Sequence, residues 1–336
     1  MRKRKKINVL FVCSYPLSTF MNMDYEILKR HFNVKLFPWR KKKEYLKKPL
    51  EFFRFLCYVF WCDITFSWFV GSHAYFLSIL SKILGKKSIV VASGYCVAKL
   101  PDINYGSMLD PHMSKKINFT LKYTDVVLAV SDFNKKEILK NTLAKDVKLV
   151  YHGVCFDDYP LKGKKDNNLI LTVSYLTDMQ IKRKGIDTFI EAAKYLPTKR
   201  FVVVGGGSKE LIQKLKSEAP LNMEFTGYLS NSRLLTFLQK AKVYVQISRH
   251  EGFGLSLAEA MLCGCVPVTT KEGAIPEVVG DTGYYVPYGN PRKTAETIRK
   301  ALKSEDKGIQ AREQIKKNFS LESRERELVN LVKDLY

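Results

Sequence analysis

The chain has 336 residues, 46% of them hydrophobic, and carries 56 Lys and Arg against 33 Asp and Glu, a formal charge of +23. That length is enough for two domains, each with its own core. No apolar stretch approaches the ~20 residues that a membrane-spanning helix needs, which excludes an integral helical membrane protein. The basic start Arg2–Lys6 leads only into the short apolar run Ile7–Val12, so no secretory signal is expected. Seven cysteines (Cys13, Cys57, Cys62, Cys96, Cys155, Cys263 and Cys265) are odd in number and lack metal-ligand spacing. They are expected to be reduced, mostly buried thiols of a cytosolic protein.

In chain order, Ile7–Val12 predicts a strand and Ser14–Pro16 the turn after it. Met23–His31 is helical in period, and Val34–Phe37 predicts a second strand. Residues 1–54 hold 15 Lys and Arg against 4 Asp and Glu, so they supply +11 of the charge. Behind Arg40–Lys43 and Lys47-Lys48 comes an aromatic run, Leu50 to Cys62. One reading is a core helix preceded by a solvated basic loop. The other is an interfacial element at an anionic membrane surface, lysines on headgroups and aromatics in the acyl boundary. Strands are then predicted at Ile64–Val70, Ser88–Ala92, Asp125–Val130 and Val147–Val150, with helices at Ala74–Leu84 and from Ser131.

Tyr151–Lys165 has no helical period and reads as an interdomain linker. After it the alternation restarts. Strands are expected at Leu169–Val173, Phe201–Val204, Met223–Thr226 and Val243–Ile247, and helices at Ile186–Tyr195, Lys209–Ser217 and Leu234–Gln239. Buried strands alternating with helices argue an α/β fold of two doubly wound Rossmann-like domains, with ligands beyond the carboxyl ends of the strands. The expected boundaries are 1–158, 159–318 and a charged terminal helix within 319–336.

The stretch Ser248 to Thr270 carries the chemistry. Glu251 and Glu259 have seven residues between them, and Gly252-Phe253-Gly254 follows the first. Leu255, Leu257, Ala258, Met261 and Leu262 fall at helical spacing, so a helix should begin near Leu255 and carry Glu259 about two turns on. Glycines permit close approach of a ligand to the backbone, and the first turn of a helix offers N–H groups that suit a phosphate. Two carboxylates beside such a helix start would suit the hydroxyls on either side of a diphosphate, the pattern of a nucleotide-sugar. Taken alone, the bland alternative is a loop carboxylate and a solvated helix face.

The run closely resembles the Glu-x7-Glu signature of family 4 (group 1) retaining glycosyltransferases, which have the GT-B architecture of two Rossmann-like domains facing across a cleft. The resemblance implies that Glu251 and Lys184 are catalytic. Glu251 would bind the sugar hydroxyls, and Lys184, in Lys182-Arg183-Lys184-Gly185, would sit on the donor phosphates. It implies donor binding by Gly252, Phe253, Gly254 and Leu255, by Glu259 at the ribose, and by Gly227, Tyr228 and Leu229 at the nucleobase. Gly205-Gly206-Gly207 resembles the glycine turn near the nucleotide pocket. The family has a Gly-Arg pair where this chain has Ser174-Tyr175, which leaves either a weaker phosphate clamp or a substitute cation in Lys182 or Arg183. The N-terminal half departs further: Ser93-Gly94-Tyr95-Cys96 stands where the family often has a histidine, and His73, His152 and His250 receive no role.

The resemblance also implies that the terminal helix crosses back onto the N-terminal domain. No Asp-x-Asp metal motif occurs, so transfer is expected without a metal or other cofactor, the nucleotide-sugar being a substrate. The expected partners are that donor, a glycan or lipid-linked acceptor and an anionic membrane surface. Nucleic acid is not expected, since no recognised reading motif is present. The expected location is the cytoplasm, at the inner membrane surface if the interfacial reading of the aromatic run holds. The alternative function is a nucleotide-sugar-binding relative with impaired catalysis, suggested by Tyr175 and the altered N-terminal loops.

Overall fold

The computed structural model describes residues 6–14, 16–40 and 49–336. The chain divides into two compact units, Met1–Pro101 with Tyr105–His152 and Glu322–Tyr336, and Asp102–Asn104 with Gly153–Leu321. In the first unit β1 (Asn8–Ser14), β2 (Asn33–Trp39), β3 (Ile64–Trp68), β4 (Lys87–Val91), β5 (Val126–Ala129) and β6 (Val147–Leu149) form a parallel sheet. Their order is β2-β1-β3-β4-β5-β6. β3 and β5 are buried at every position, as expected for strands covered by helices on both faces.

The aromatic run forms the helix Pro49–Trp61, and it divides by face. Phe55 and Val59 pack with Cys62 against Leu10, Val12 and Phe37, while Leu50, Phe53 and Phe60 are exposed. The preceding lysines Lys41–Lys43, Lys47 and Lys48, like Arg2–Lys5 and Tyr15 of the predicted first turn, lie outside the described residues.

The second unit repeats the design. β7 (Asp166–Val173), β8 (Arg200–Val204), β9 (Met223–Gly227), β10 (Ala241–Gln246), β11 (Val266–Thr269) and β12 (Tyr284–Tyr285) are parallel, in the order β12-β11-β10-β7-β8-β9. Ile186, Phe189 and Ala193 of the helix Ile186–Lys194 pack with Phe201, Val243 and Val266 in its core. The predicted strands appear within a few residues of their expected bounds.

Some helices were not anticipated. Lys182–Lys184 form the last turn of a short helix, Asp178–Lys184. Seven residues are too few to show a period. The signal is instead Thr177-x-x-Gln180, the spacing of a capping box, and Thr177 Oγ1 does accept from Gln180 N at 3.2 Å. Pro111–Tyr123 and Pro291–Leu302 were missed as well, although each starts with Asp or Asn followed by proline at the first helical position.

The terminal helix Leu321–Leu335 is anchored in the first unit by Arg324. Its Nε and Nη2 each donate to an oxygen of Asp24 at 2.7 Å, and Nη1 donates to the carbonyls of Val150 and Tyr151. Trp68 Nε1 donates to the same Asp24 carboxylate at 2.9 Å. Asp24 and Arg324 are both buried, and breaking a buried pair by removing one partner strands the other charge. Arg324→Met is expected to cost about 3–5 kcal/mol of stability, read from the urea midpoint of a fluorescence unfolding curve. An unchanged midpoint would mean that the pair is not buried in solution.

Candidate functional site

The sheet of the second unit grows from β7 outward in two directions, first through β8 and β9, then back past β7 to β10 and β11. The carboxyl ends of β7 and β10 therefore diverge at a topological switch point, where open α/β sheets form a crevice. The residues after β10 supply Glu251. Those after β7 lead through the Asp178–Lys184 helix to Arg183 and Lys184.

These three charges meet. Arg183 Nη1 lies 3.1 Å from Glu251 Oε2, and Lys184 Nζ 3.6 Å from Oε1. Ser248 Oγ donates to Oε1 at 3.0 Å, and Lys184 Nζ also reaches the carbonyl of Val173 at 3.3 Å. Arg183 is held from both sides, with Nε donating to Gln180 Oε1 and Nη1 to the His250 carbonyl, each at 2.8 Å. Burial would raise the Glu251 carboxyl, but Arg183 and Lys184, helped by Ser248, outweigh it and hold the group down at about 2. Burial lowers the Lys184 ammonium, against the attraction of Glu251. Glu251 is thus an ionised carboxylate fixed in orientation, with the buried Arg183 on one side and the half-buried Lys184 on the other.

The backbone around it leaves no room for ordinary residues at two points. Gly273 has φ +63°, and a Cβ there would sit 2.5 Å from the Glu251 carbonyl oxygen. Gly185 has φ +64°, and its Cβ would sit 2.5 Å from the Ile247 carbonyl. Gly254, also in the left-handed region, opens the helix Leu255–Leu262. Phe253 is buried and meets Phe319 edge to face at 5.2 Å, so only its backbone is placed to touch a ligand.

Glu259 stands on that helix in a different environment. Burial raises its carboxyl to about 7, although Tyr159 hydrogen-bonds to it and Lys184 attracts it. The Tyr159 phenol is itself pushed up, by burial first and then by Glu259. Two glutamates with seven residues between them, one in the loop and one on the helix, therefore have opposite tendencies, one fixed as an anion and the other near its titration point.

A second cluster lies at the ends of β7, β8 and β9. Gly205 N donates to the Gly227 carbonyl at 3.1 Å, and a Cβ on Gly206 would touch both Tyr175 and Tyr228 at 3.6 Å. Tyr175 and Tyr228 are 66% and 83% exposed, so two tyrosines flank an open glycine turn. Tyr175, where the resemblance expected arginine, stands with Tyr228 of the expected nucleobase loop Gly227-Tyr228-Leu229. Lys182 is exposed, whereas Arg183 is engaged with Glu251. His73 and His152 are buried in the first unit, His73 bonded to the Trp68 carbonyl and lowered to about 4 by burial.

Sequence reasoning missed Tyr159, Ser248 and Gly273. Ser248 lies in the signature stretch but has no distinctive pattern. Tyr159 is 100 residues from Glu259 in a segment without secondary structure, and nothing local marks it.

Two doubly wound parallel units, one with paired carboxylates at a glycine-bracketed helix start on its switch point, define an α/β protein of the GT-B class. Residues 158–320 match the family model described as "Glycosyl transferases group 1". Over that stretch, just under half of the chain, it is similar to the group 1 glycosyltransferases. Among curated proteins it is 29% identical over 236 residues to the N-acetyl-alpha-D-glucosaminyl L-malate synthase of Bacillus anthracis, covering 63% of this chain and 60% of that one. It is 27% identical over 178 residues to the gpi3 component of the phosphatidylinositol N-acetylglucosaminyltransferase of Schizosaccharomyces pombe, covering 49% and 38%. The matched regions thus span about half the length of these relatives. The Anabaena protein HepE, solved in complex with UDP and glucose, shares the fold over 98% of this chain and 100% of its own, with a TM-score of 0.78 at 15% identity.

The Glu259 carboxyl, raised when folded, holds a proton that the unfolded chain releases near the ordinary value of 4.5. Its stabilising contribution is complete below 4.5 and is lost as pH rises towards 7. Glu259→Gln removes that loss. Relative to the wild type, the variant should gain about 1–3 kcal/mol between roughly pH 4 and pH 8, a range that allows for solvent screening. Paired thermal melts at the two pH values read the difference. A constant difference would place the carboxyl in water.

Proposed function

We propose that this chain transfers a hexose-type sugar from a nucleotide diphosphate donor to a glycan or lipid-linked acceptor, with retention of configuration and without a bound metal, in surface glycan or glycoconjugate synthesis. The observation that carries the proposal is the Glu251 carboxylate, held ionised between Arg183 and Lys184 at the switch point, inside the part of the chain that matches the glycosyltransferase family. The two curated relatives carry N-acetylglucosaminyl groups in their names, and HepE was solved with UDP and glucose. Both support a nucleotide-sugar donor.

In this proposal Glu251 accepts hydrogen bonds from sugar hydroxyls and orders the transition state. The developing charge on the leaving diphosphate falls to Lys184 and to the backbone of Gly252, Gly254 and Leu255 at the helix start, an electrostatic role of the oxyanion-hole type. Arg183 acts mainly through Glu251, since its guanidinium is directed at that carboxylate. Glu259 holds the ribose, and its ionised form accepts hydroxyl hydrogen bonds better than its protonated form. The nucleobase lies by Gly227, Tyr228 and Leu229, where Tyr175 adds an aromatic face in place of a cation.

Lys184→Ala is expected to lower kcat/KM for the donor by about one to two orders of magnitude, the loss of a charge-assisted hydrogen bond worth roughly 1.5–3 kcal/mol. The fall should be larger in kcat than in KM if the contact tightens as the phosphate leaves. Glu251→Gln should reduce transfer by at least about a hundredfold, because an amide replaces only half of the acceptor set. Steady-state kinetics on variants shown to be folded decide both. Transfer by Glu251→Gln within a few-fold of the wild type would remove Glu251 from the site. Lys184→Ala within about twofold would mean that the diphosphate lies elsewhere.

A further inference from the structure

Far in sequence from the paired glutamates, the first unit carries a recess at the amino ends of its strands. It has a volume of about 380 Å³ and contains five lysines: Lys82, Lys86, Lys87, Lys122 and Lys145. They come from the end of the helix Ser72–Ile83, the turn into β4, the end of the helix Pro111–Tyr123 and the loop before β6. Two helix C-termini favour nearby cations, which accounts for Lys82 and Lys122 but not for five ammonium groups. None of the five has a salt bridge among the described residues. The only acid in the recess, Asp125, accepts from the backbone N and Oγ of Ser88 through one carboxylate oxygen. A recess with this excess of positive charge suits an anion, and phosphate above all.

Next to it lies a second recess of different character. It is lined by Ser78, Ile79, Lys82, Ile83, Phe119 and Tyr123, has a volume of about 250 Å³, and shares Lys82 and Tyr123 with the first. Lys82 Nζ sits 4.1 Å above the Tyr123 ring and Lys122 Nζ 5.5 Å from it. Ile83 is 73% exposed and Phe119 37%. Phe119 is supported from behind by Tyr75 at 5.2 Å and Tyr123 at 4.7 Å. Lys86 Nζ donates to the Phe60 carbonyl at 3.3 Å, which brings the exposed end of the aromatic helix to the rim. Soluble proteins rarely leave such apolar groups beside a lysine cluster unless the face is used.

We propose that this face docks on an anionic phospholipid bilayer, with a lipid phosphate in the five-lysine recess and Ile83, Phe119 and Phe60 in the acyl boundary. The occupant is chosen by charge and by continuity. A phosphate and an alkyl chain joined in one molecule fit two recesses that share a wall, and a soluble anion would leave the apolar one unused. Cations at an anionic leaflet combined with apolar insertion are how an interfacial surface holds without spanning. The docking does not depend on transfer activity, so it stands or falls apart from the proposed reaction.

Co-sedimentation of the full chain with vesicles tests it, using phosphatidylcholine alone and phosphatidylcholine with about one third phosphatidylglycerol. The wild type should bind the anionic vesicles and not the neutral ones. Each lysine near such a surface is worth about fivefold in affinity, so Lys82→Glu with Lys122→Glu should weaken binding by more than about tenfold. Ile83→Ser with Phe119→Ser should weaken it comparably at unchanged charge. Lys214→Glu with Lys216→Glu, on the second unit, makes the same change in net charge and should leave binding within about twofold. If the glutamate pair lowers the melting temperature, Lys82→Gln with Lys122→Gln carries the measurement. Three results overturn the proposal: equal loss in the charge-matched control, equal binding to neutral vesicles, or no binding to the anionic ones. Binding of duplex DNA through the same lysines without vesicle binding also overturns it.

Discussion

A carboxylate that must stay ionised inside a protein needs its countercharges built in, and Glu251 obliges the second unit to supply them. The attraction of Arg183 and Lys184 exceeds the cost of removing the carboxylate from water. To deliver both cations the chain uses a short capped helix after β7 whose last turn carries them, and a left-handed glycine that ends it against the Ile247 carbonyl. To deliver the carboxylate it uses the loop after β10, kept close by Gly273. The switch point between β7 and β10 is the place in this sheet where the two can meet. Much of the unit's local irregularity follows from that one requirement.

Glu259 shows what happens without such provision. It stands in the same polar neighbourhood but receives a phenol as partner and one cation at greater remove, so burial dominates and its carboxyl is raised. One sequence signature thus contains two carboxylates whose environments separate their protonation states, and separated environments assign separate roles. The fixed anion suits the reacting sugar. The titrating group suits a position where a hydroxyl can donate to it once a ligand has arrived.

The first unit is organised around a different buried pair. Asp24 and Arg324 are 300 residues apart, and their bidentate contact holds the terminal helix to the helix Thr19–His31. Trp68 completes the arrangement by donating to Asp24, and its ring stacks on His152 with centroids 5.7 Å apart. His73 and His152 are absorbed into such structural contacts.

The sequence by itself determined the alternation of strands and helices, the two-unit organisation, the helix start at Leu255 and the identity of the paired glutamates. Each of these is local: hydrophobic period, glycine placement and fixed spacing act over a few residues. The short helix at 178–184 and those at 111–123 and 291–302 were also locally encoded, but in caps rather than in period. Only the tertiary structure decided that Arg183 faces Glu251, that Tyr159 is the partner of Glu259 and that Arg324 belongs to Asp24. It also decided that five lysines from four segments share one recess. Those outcomes depend on which strand ends the sheet order brings together, and parallel β-topology joins residues far apart in the chain without leaving a repeated spacing.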